Sequence, residues 1–318
     1  MFKRIAAVLL LVCSSIGATA LASAGAKFDS RGFQFSTGTP RVLRSTDIGV
    51  FSLVPGNLYL TDWSSNAILQ VAPDGSVVAS KSVPGYTSGL KGTAFGPDGR
   101  LYVVAVTPMG YDVVVLNEQG NIDRTYAGDQ YVQGNLSYGK IAVDRNQRVY
   151  VAGQNSLVAH RKNTGERSSI YQGNQVFDVV ELSNGNLLVA TAYYVVEVRS
   201  DGSGVTRELP GFLTDVRGIE VRESSRDLFI TMLGSSSAFF QLMRVNLDTG
   251  AVQQQTTFTY GDDIAFMADG QLVVGSRTQA PGVFNAALEQ VRSIGAEPLM
   301  FVSVMPEPLF LFRDDFED

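Results

Sequence analysis

Gly99-Arg100-Leu101-Tyr102-Val103-Val104 and Gln147-Arg148-Val149-Tyr150-Val151-Ala152 are two copies of one phrase, a polar turn running into an apolar strand. The phrase returns as Gly56-Asn57-Leu58-Tyr59-Leu60-Thr61-Asp62, Gly185-Asn186-Leu187-Leu188-Val189-Ala190, Arg226-Asp227-Leu228-Phe229-Ile230-Thr231 and Gly270-Gln271-Leu272-Val273-Val274-Gly275. Successive copies begin 43, 48, 38, 41 and 44 residues apart. A period in the low forties, with room for four short strands per unit, predicts the blades of a β-propeller. A first strand precedes each phrase in most units, as in Lys140-Ile141-Ala142-Val143 and Asp263-Ile264-Ala265-Phe266. Pro97-Asp98-Gly99 and Ser183-Asn184-Gly185 lie between such strands and supply the positive φ angles that tight hairpins need.

The repeated strands are apolar on both faces. In Leu101-Tyr102-Val103-Val104-Ala105-Val106 no side is left for water, whereas a one-sided sheet would alternate apolar and polar residues. Blades stacked round an axis bury both faces of their inner strands, so the pattern predicts a ring. The expected fold is all-β, a six-bladed propeller of four-stranded blades, with seven blades as the runner-up. Units begin near residues 47, 91, 139, 177, 217 and 262. Phe284 to Ile294 includes the helix-favouring Ala286-Ala287-Leu288-Glu289-Gln290, but its place in the repeat predicts a strand pair. Phe33 to Leu43 and Leu299 to Val304 are left over, and either is available to complete a blade.

The division expected is a leader over 1–26, an N-terminal segment over 27–46, the propeller over 47–298 and a tail over 299–318. Lys3 and Arg4, then the apolar run Ile5 to Val12 and small residues around Ala20 to Ala26, have the pattern of a secretory signal peptide. That predicts a secreted or periplasmic protein with no transmembrane segment after cleavage. Cys13, the only cysteine, would leave with the leader, so no disulfide is expected. Removing Lys3 and Arg4 takes the formal net charge from -6 to -8, a balance that disfavours nucleic acid as a partner.

Lys140-Ile141-Ala142-Val143-Asp144-Arg145-Asn146-Gln147-Arg148-Val149-Tyr150-Val151-Ala152 resembles the NHL repeat. So does Leu58-Tyr59-Leu60-Thr61-Asp62-Trp63-Ser64-Ser65-Asn66-Ala67-Ile68 with its following Asp74-Gly75. The wider resemblance, over roughly 47–294, is to the SMP-30/gluconolactonase-like and strictosidine-synthase-like six-bladed propellers. It implies the fold, and it implies either a lactonase or other enzyme or a pure binding module. The SMP-30-like enzymes carry an early Glu-Gly-Pro motif whose Glu holds a divalent metal. The first strand taken to match, Thr46-Asp47-Ile48-Gly49-Val50-Phe51, lacks it, and Asp47 is the nearest acid.

Aligning the first strands puts Gly49, Gly92, Lys140, Asp178, Gly218 and Asp263 at one level, with Lys91, Arg217 and Asp262 one residue earlier. Asp47, Asp178, Asp262 and Asp263 are therefore the candidate ligand or metal residues, and carboxylates converging on an axis suit a divalent cation such as Ca²⁺. The interspersed Lys91, Lys140 and Arg217 favour an internal ring of ion pairs over a metal cage. His160, the only histidine, is expected at the surface of a third strand. No Gly-x-Ser-x-Gly elbow is present. Residues 126–139 form the longest insertion, and its Tyr126, Tyr131 and Tyr138 are candidate loop contacts for a small ligand or a protein. These features predict a binding module without a catalytic set. The alternative is a metal-dependent lactonase working through the channel carboxylates.

Overall fold

A computed structural model describes residues 48–306, apart from 63, 109, 129–138, 163, 174, 210–215, 234–239, 259 and 296. The first blade begins with β1 (Leu58–Thr61), β2 (Ala67–Val71) and β3 (Val77–Ser82). The second is β4 (Leu90–Phe95), β5 (Leu101–Thr107), β6 (Gly110–Leu116) and β7 (Ile122–Ala127). The third is β8 (Ile141–Val143), β9 (Val149–Ala152), β10 (Ser156–His160) and β11 (Arg167–Gln172). The fourth is β12 (Val176–Glu181), β13 (Leu187–Thr191), β14 (Val195–Val198) and β15 (Val205–Leu209). The fifth is β16 (Val216–Arg222), β17 (Asp227–Leu233), β18 (Phe240–Asn246) and β19 (Val252–Phe258). The sixth is β20 (Gly261–Phe266), β21 (Leu272–Ser276), β22 (Gly282–Phe284) and β23 (Gln290–Ser293). The last strand, β24 (Phe301–Val304), returns to the first blade and completes the order β24-β1-β2-β3.

Six sheets, each antiparallel and four-stranded, thus make six blades rather than seven. Burial is greatest on the second strands and least on the fourth, while the channel-facing first strands β4 and β8 are partly exposed. All four residues of β1 and of β9 are buried, whereas the fourth strands β7, β11 and β19 are mostly exposed. Each apolar cluster lies between two neighbouring blades. Leu58 and Leu60 face Ala265 and Val273 of the sixth blade, while the intervening Tyr59 packs with Leu101 and Val103 of the second. The other four gaps are filled in the same way. The period of two along a strand sends alternate side chains into the two adjacent gaps, which is why the second strands carry no polar face.

The hairpins follow the turn chemistry of the sequence. Gly99, Gly185 and Gly270 take φ of 71°, 83° and 81°. Gln147 and Arg226 hold the matching left-handed position in the third and fifth blades, at φ 60° and 56°.

Two expectations change at the ends of the ring. The segment near residue 47 is not an inner first strand, because Ile48 forms an isolated bridge with Ser80 on the outer strand β3. The inner strand of the first blade is β24, paired with β1 through Leu58↔Val304, Tyr59↔Ser303, Leu60↔Val302 and Thr61↔Phe301. The propeller therefore runs past the expected boundary at 298 and takes in part of the tail. Phe284 to Ile294 forms a strand pair, as its place in the repeat predicts.

Candidate functional site

The hairpin pairings place the inner strands in register. Ala94, Ala142, Val180, Glu220, Ala265 and Ser303 pair with Tyr102, Tyr150, Leu188, Phe229, Val273 and Tyr59, one repeat position in six blades. Two residues earlier stand Gly92, Lys140, Asp178, Gly218, Asp263 and Phe301. Phe301 takes the place expected of Gly49. A register shift falls just ahead of this level in β4, β12, β16 and β20. Bulges re-aim side chains and recur beside functional sites. Here they set the consecutive pair Asp262 and Asp263 to different tasks.

Lys140 crosses the axis at this level. Its Nζ lies 2.8 Å from Asp178 Oδ2 and 2.6 Å from Asp263 Oδ1, and its side chain is 2 % exposed. Each carboxylate also accepts two backbone N–H bonds. Asp178 receives them from Val179 (2.8 Å) and Ile219 (2.8 Å), and Asp263 from Ile264 (2.9 Å) and Val302 (3.0 Å). Glycine makes the crossing possible. A Cβ on Gly218 would stand 2.7 Å from Thr231 Oγ1 and 3.2 Å from Lys140 Nζ, and one on Gly92 would stand 2.6 Å from the Lys140 Cα. Burial opposes the Lys140 charge, but the two carboxylates outweigh it and hold its pKa above the ordinary lysine value. Burial raises both aspartates, Asp263 to about 6, against the pull of Lys140. One ammonium shared by two buried acids cannot fully compensate both.

On the hairpin side of this stopper the channel opens into a cavity of about 310 Å³. Phe95, Val143, Val180 and Phe266 line it with Ala94, Ala142 and Ala265, and Glu181 and Glu220 join Asp178 and Asp263 of the stopper as its acids. Glu181 is engaged by Arg145, whose Nε lies 3.0 Å from its Oε1. Glu220 accepts only the N–H of its neighbour Val221, at 3.0 Å, among the described residues. Burial, with Asp178 and Asp263 nearby, pushes its pKa up to about 8 despite that bond and despite Lys140.

An acid raised in the folded state favours folding in its protonated form. Glu220 therefore costs little near its ordinary pKa of 4.5 and progressively more as pH climbs to about 8, where the penalty levels off. Glu220→Gln should match the wild type near pH 4.5. It should exceed it increasingly up to pH 8, by at most about 1.4 kcal/mol per pH unit. Melting temperatures across that range check this, and parallel pH profiles for the two proteins would refute it.

On the opposite side Arg277 grips Asp262 through Nη2 and through Nε at 2.9 Å. The Arg217 guanidinium lies 4.5 Å from the centre of the Phe177 ring. Burial, with Arg277 nearby, lowers Lys91 to about 8 and Arg217 to about 9, opposed by Asp62 and Asp262 respectively. Asp262 thus belongs to a separate group from Asp178 and Asp263.

Among the described residues no group of three or more His, Cys, Asp or Glu side chains is arranged to hold a metal. Asp47, Tyr131 and Tyr138 lie outside the described residues. Tyr126 is not a loop residue. It sits in β7, 6 % exposed, with its hydroxyl donating to the Lys162 carbonyl at 2.8 Å. His160 is likewise buried rather than at the surface. Its Nε2 lies 3.0 Å from the Tyr111 hydroxyl, and its ring packs edge-on against Tyr111 in the gap between the second and third blades. The gap needs large side chains, and an imidazole flanked by two tyrosines fills it with one polar end satisfied.

Arg277 and Glu220 are the residues that sequence reasoning missed. Glu220 carries a readable signal, because it stands alone as an acid in a column otherwise filled by Ala94, Ala142, Val180, Ala265 and Ser303. Arg277 follows the repeated strand of its blade at a position with no periodic constraint, and nothing in the sequence marks it.

No family model and no curated protein matches the sequence. Solved structures do. A chain of the nidogen/laminin complex is similar over 78 % of this chain and 98 % of its own length, with 12 % identity and a TM-score of 0.63. A gluconolactonase from Xanthomonas campestris is similar over 67 % of this chain and 78 % of its own, with 16 % identity and a TM-score of 0.52. Virginiamycin B lyase from Staphylococcus aureus is similar over 80 % and 84 %, with 14 % identity and a TM-score of 0.52. At such identities the likeness extends to architecture alone, and the chain is a β-propeller of six four-stranded blades.

Proposed function

We propose that this chain is an exported propeller that serves as a binding module for a small ligand or a protein. The observation that carries this reading is the state of the axial carboxylates. Asp178 and Asp263 each bind Lys140 and two backbone N–H groups, so the ammonium occupies the place between them. A general base needs a lone pair aimed at substrate, and a Ca²⁺ site needs six to eight oxygens. Both roles would require this arrangement to come apart. The amino-terminal pattern of positive charge, apolar run and small residues supports export. Among the structural neighbours, the chain from a nidogen/laminin complex gives a precedent for a propeller engaged with a protein.

A metal-dependent lactonase is the competing reading, suggested by the neighbouring gluconolactonase. Thermal-shift measurements with Ca²⁺, Mg²⁺, Mn²⁺ and Zn²⁺, paired with a lactone-hydrolysis assay, separate the two. The binding module predicts no metal-specific stabilisation and no turnover. Stabilisation by one cation that grows with its concentration, together with hydrolysis that requires it, would replace this proposal with the lactonase.

A further inference from the structure

We propose that the hairpin-side cavity of the channel binds a small organic monocation, an alkylammonium with a short apolar tail, and that Glu220 is its counter-ion. This deepens the binding-module reading and rests on it.

The cavity has a charge deficit that its own residues do not correct. Lys140 from β8 faces Asp178 from β12 and Asp263 from β20, and Glu220 from β16 adds a third carboxylate within electrostatic reach. The remaining inner strands bring no charge to this level. β4 presents Ala94 and β24 presents Ser303, whose Oγ is 2.8 Å from Thr93 Oγ1. Nearer the mouth, Glu181 is held by Arg145. Arg222 lies over the Phe266 ring, 4.5 Å from its centre, with Nη2 donating to the Gly270 carbonyl at 2.7 Å. One positive charge is therefore shared among three inner carboxylates. Glu220, half-buried, is the one without a charged partner among the described residues.

The walls select the kind of cation. Around Glu220 stand Ala94, Ala142, Val180 and Ala265, which offer methyl groups and no oxygen ligands. Asp178 and Asp263 on the floor are taken by Lys140 and Glu181 by Arg145, so a divalent metal would find one carboxylate not held by a basic side chain, and the Ser303 hydroxyl. An ammonium needs fewer partners, since one carboxylate and a carbonyl or hydroxyl serve its donors. Its alkyl tail would lie along Val143, Phe95 and Phe266 towards the mouth, where burial of each CH₂ is favourable. About 310 Å³ is at the small end of ligand cavities, which span about 300–1,000 Å³. The rise in the Glu220 pKa fits the same picture, because a bound cation would reverse it.

The test uses the purified protein with n-hexylamine, 1-hexanol and hexanoate, by isothermal titration calorimetry. At pH 7.5 the amine is expected to bind at least tenfold more tightly than the alcohol, and hexanoate more weakly still. Amine affinity should climb close to tenfold per pH unit from 6 to 8, with release of a proton, as Glu220 gives up its own. Glu220→Gln should weaken the amine at least tenfold and leave the alcohol unchanged. Ala94→Leu, which fills the cavity at the same level, should abolish binding of both and keeps the test independent of one variant.

An amine that binds no better than the alcohol, or as well to Glu220→Gln as to wild type, overturns the assignment. Displacement of the amine by micromolar Ca²⁺ does so too, in favour of a metal. If none of the three probes binds, this cavity assignment fails while a protein-binding role stands. Lactone turnover lost in Asp178→Asn would instead overturn the broader reading.

Discussion

Lys140→Met is expected to destabilise the protein by about 3–5 kcal/mol, the cost of removing one partner from a buried ion pair and leaving the other uncompensated. The site makes this a severe case. Asp178 and Asp263 are each less than 10 % exposed and both point at the same ammonium. Without it two carboxylates face each other in a space from which water is largely excluded. Lower pH should shrink the loss, since protonating either acid relieves the repulsion. The triple variant Lys140→Met/Asp178→Asn/Asp263→Asn should recover most of it. The asparagine oxygens can still accept from Val179, Ile219, Ile264 and Val302, and no charge remains to be compensated. Urea unfolding at pH 7 and again at pH 5 measures all three quantities. A loss under about 1 kcal/mol for the single variant, a value typical of an exposed ion pair, would show that the ammonium is dispensable to the ring.

A chain ending at residue 298 should fail to form the closed ring. β24 is stitched to three partners. It pairs with β1 along its length, its Ser303 Oγ meets Thr93 Oγ1 of β4 at 2.8 Å, and its Val302 N–H donates to Asp263 of β20 at 3.0 Å. Phe301 is fully buried and Val302 nearly so. Losing one large core side chain costs about 2–5 kcal/mol, and here two go together with the backbone pairing. The sum is comparable to the whole stability of a domain, about 5–15 kcal/mol. The truncated chain should bind a hydrophobic dye and lack a cooperative melt, and a peptide spanning 297–306 supplied in trans should restore the melt. A cooperative transition near the wild-type temperature for the truncated chain would contradict the closure described here.

The ring was legible because its cause is repeated. Six apolar second strands with turn residues ahead of them state the same local physics six times, and the alternation that fills two gaps at once is visible in Leu58-Tyr59-Leu60 alone. The level of Lys140, Asp178 and Asp263 followed from aligning the first strands. The closing strand was harder, because Phe301-Val302-Ser303-Val304 lies at the far end of the chain from the strands it joins. Local pattern carries no information about a pairing of that span, and the stretch near Asp47 took its place by sequence order. His160 and Tyr126 were misjudged for a different reason. A third strand away from the axis reads as outer, and Tyr126 reads as the start of an insertion, yet burial at both positions depends on how far the neighbouring blade reaches, as Tyr111 shows for His160. Which acids pair and which stay alone depends on bulges that rotate consecutive residues apart, as with Asp262 and Asp263.

A stopper partway along the axis gives the hairpin-side cavity a floor made of Lys140, Asp178 and Asp263. A guest admitted past Phe95 and Phe266 must leave by the same doorway, so its residence time is governed by one exit.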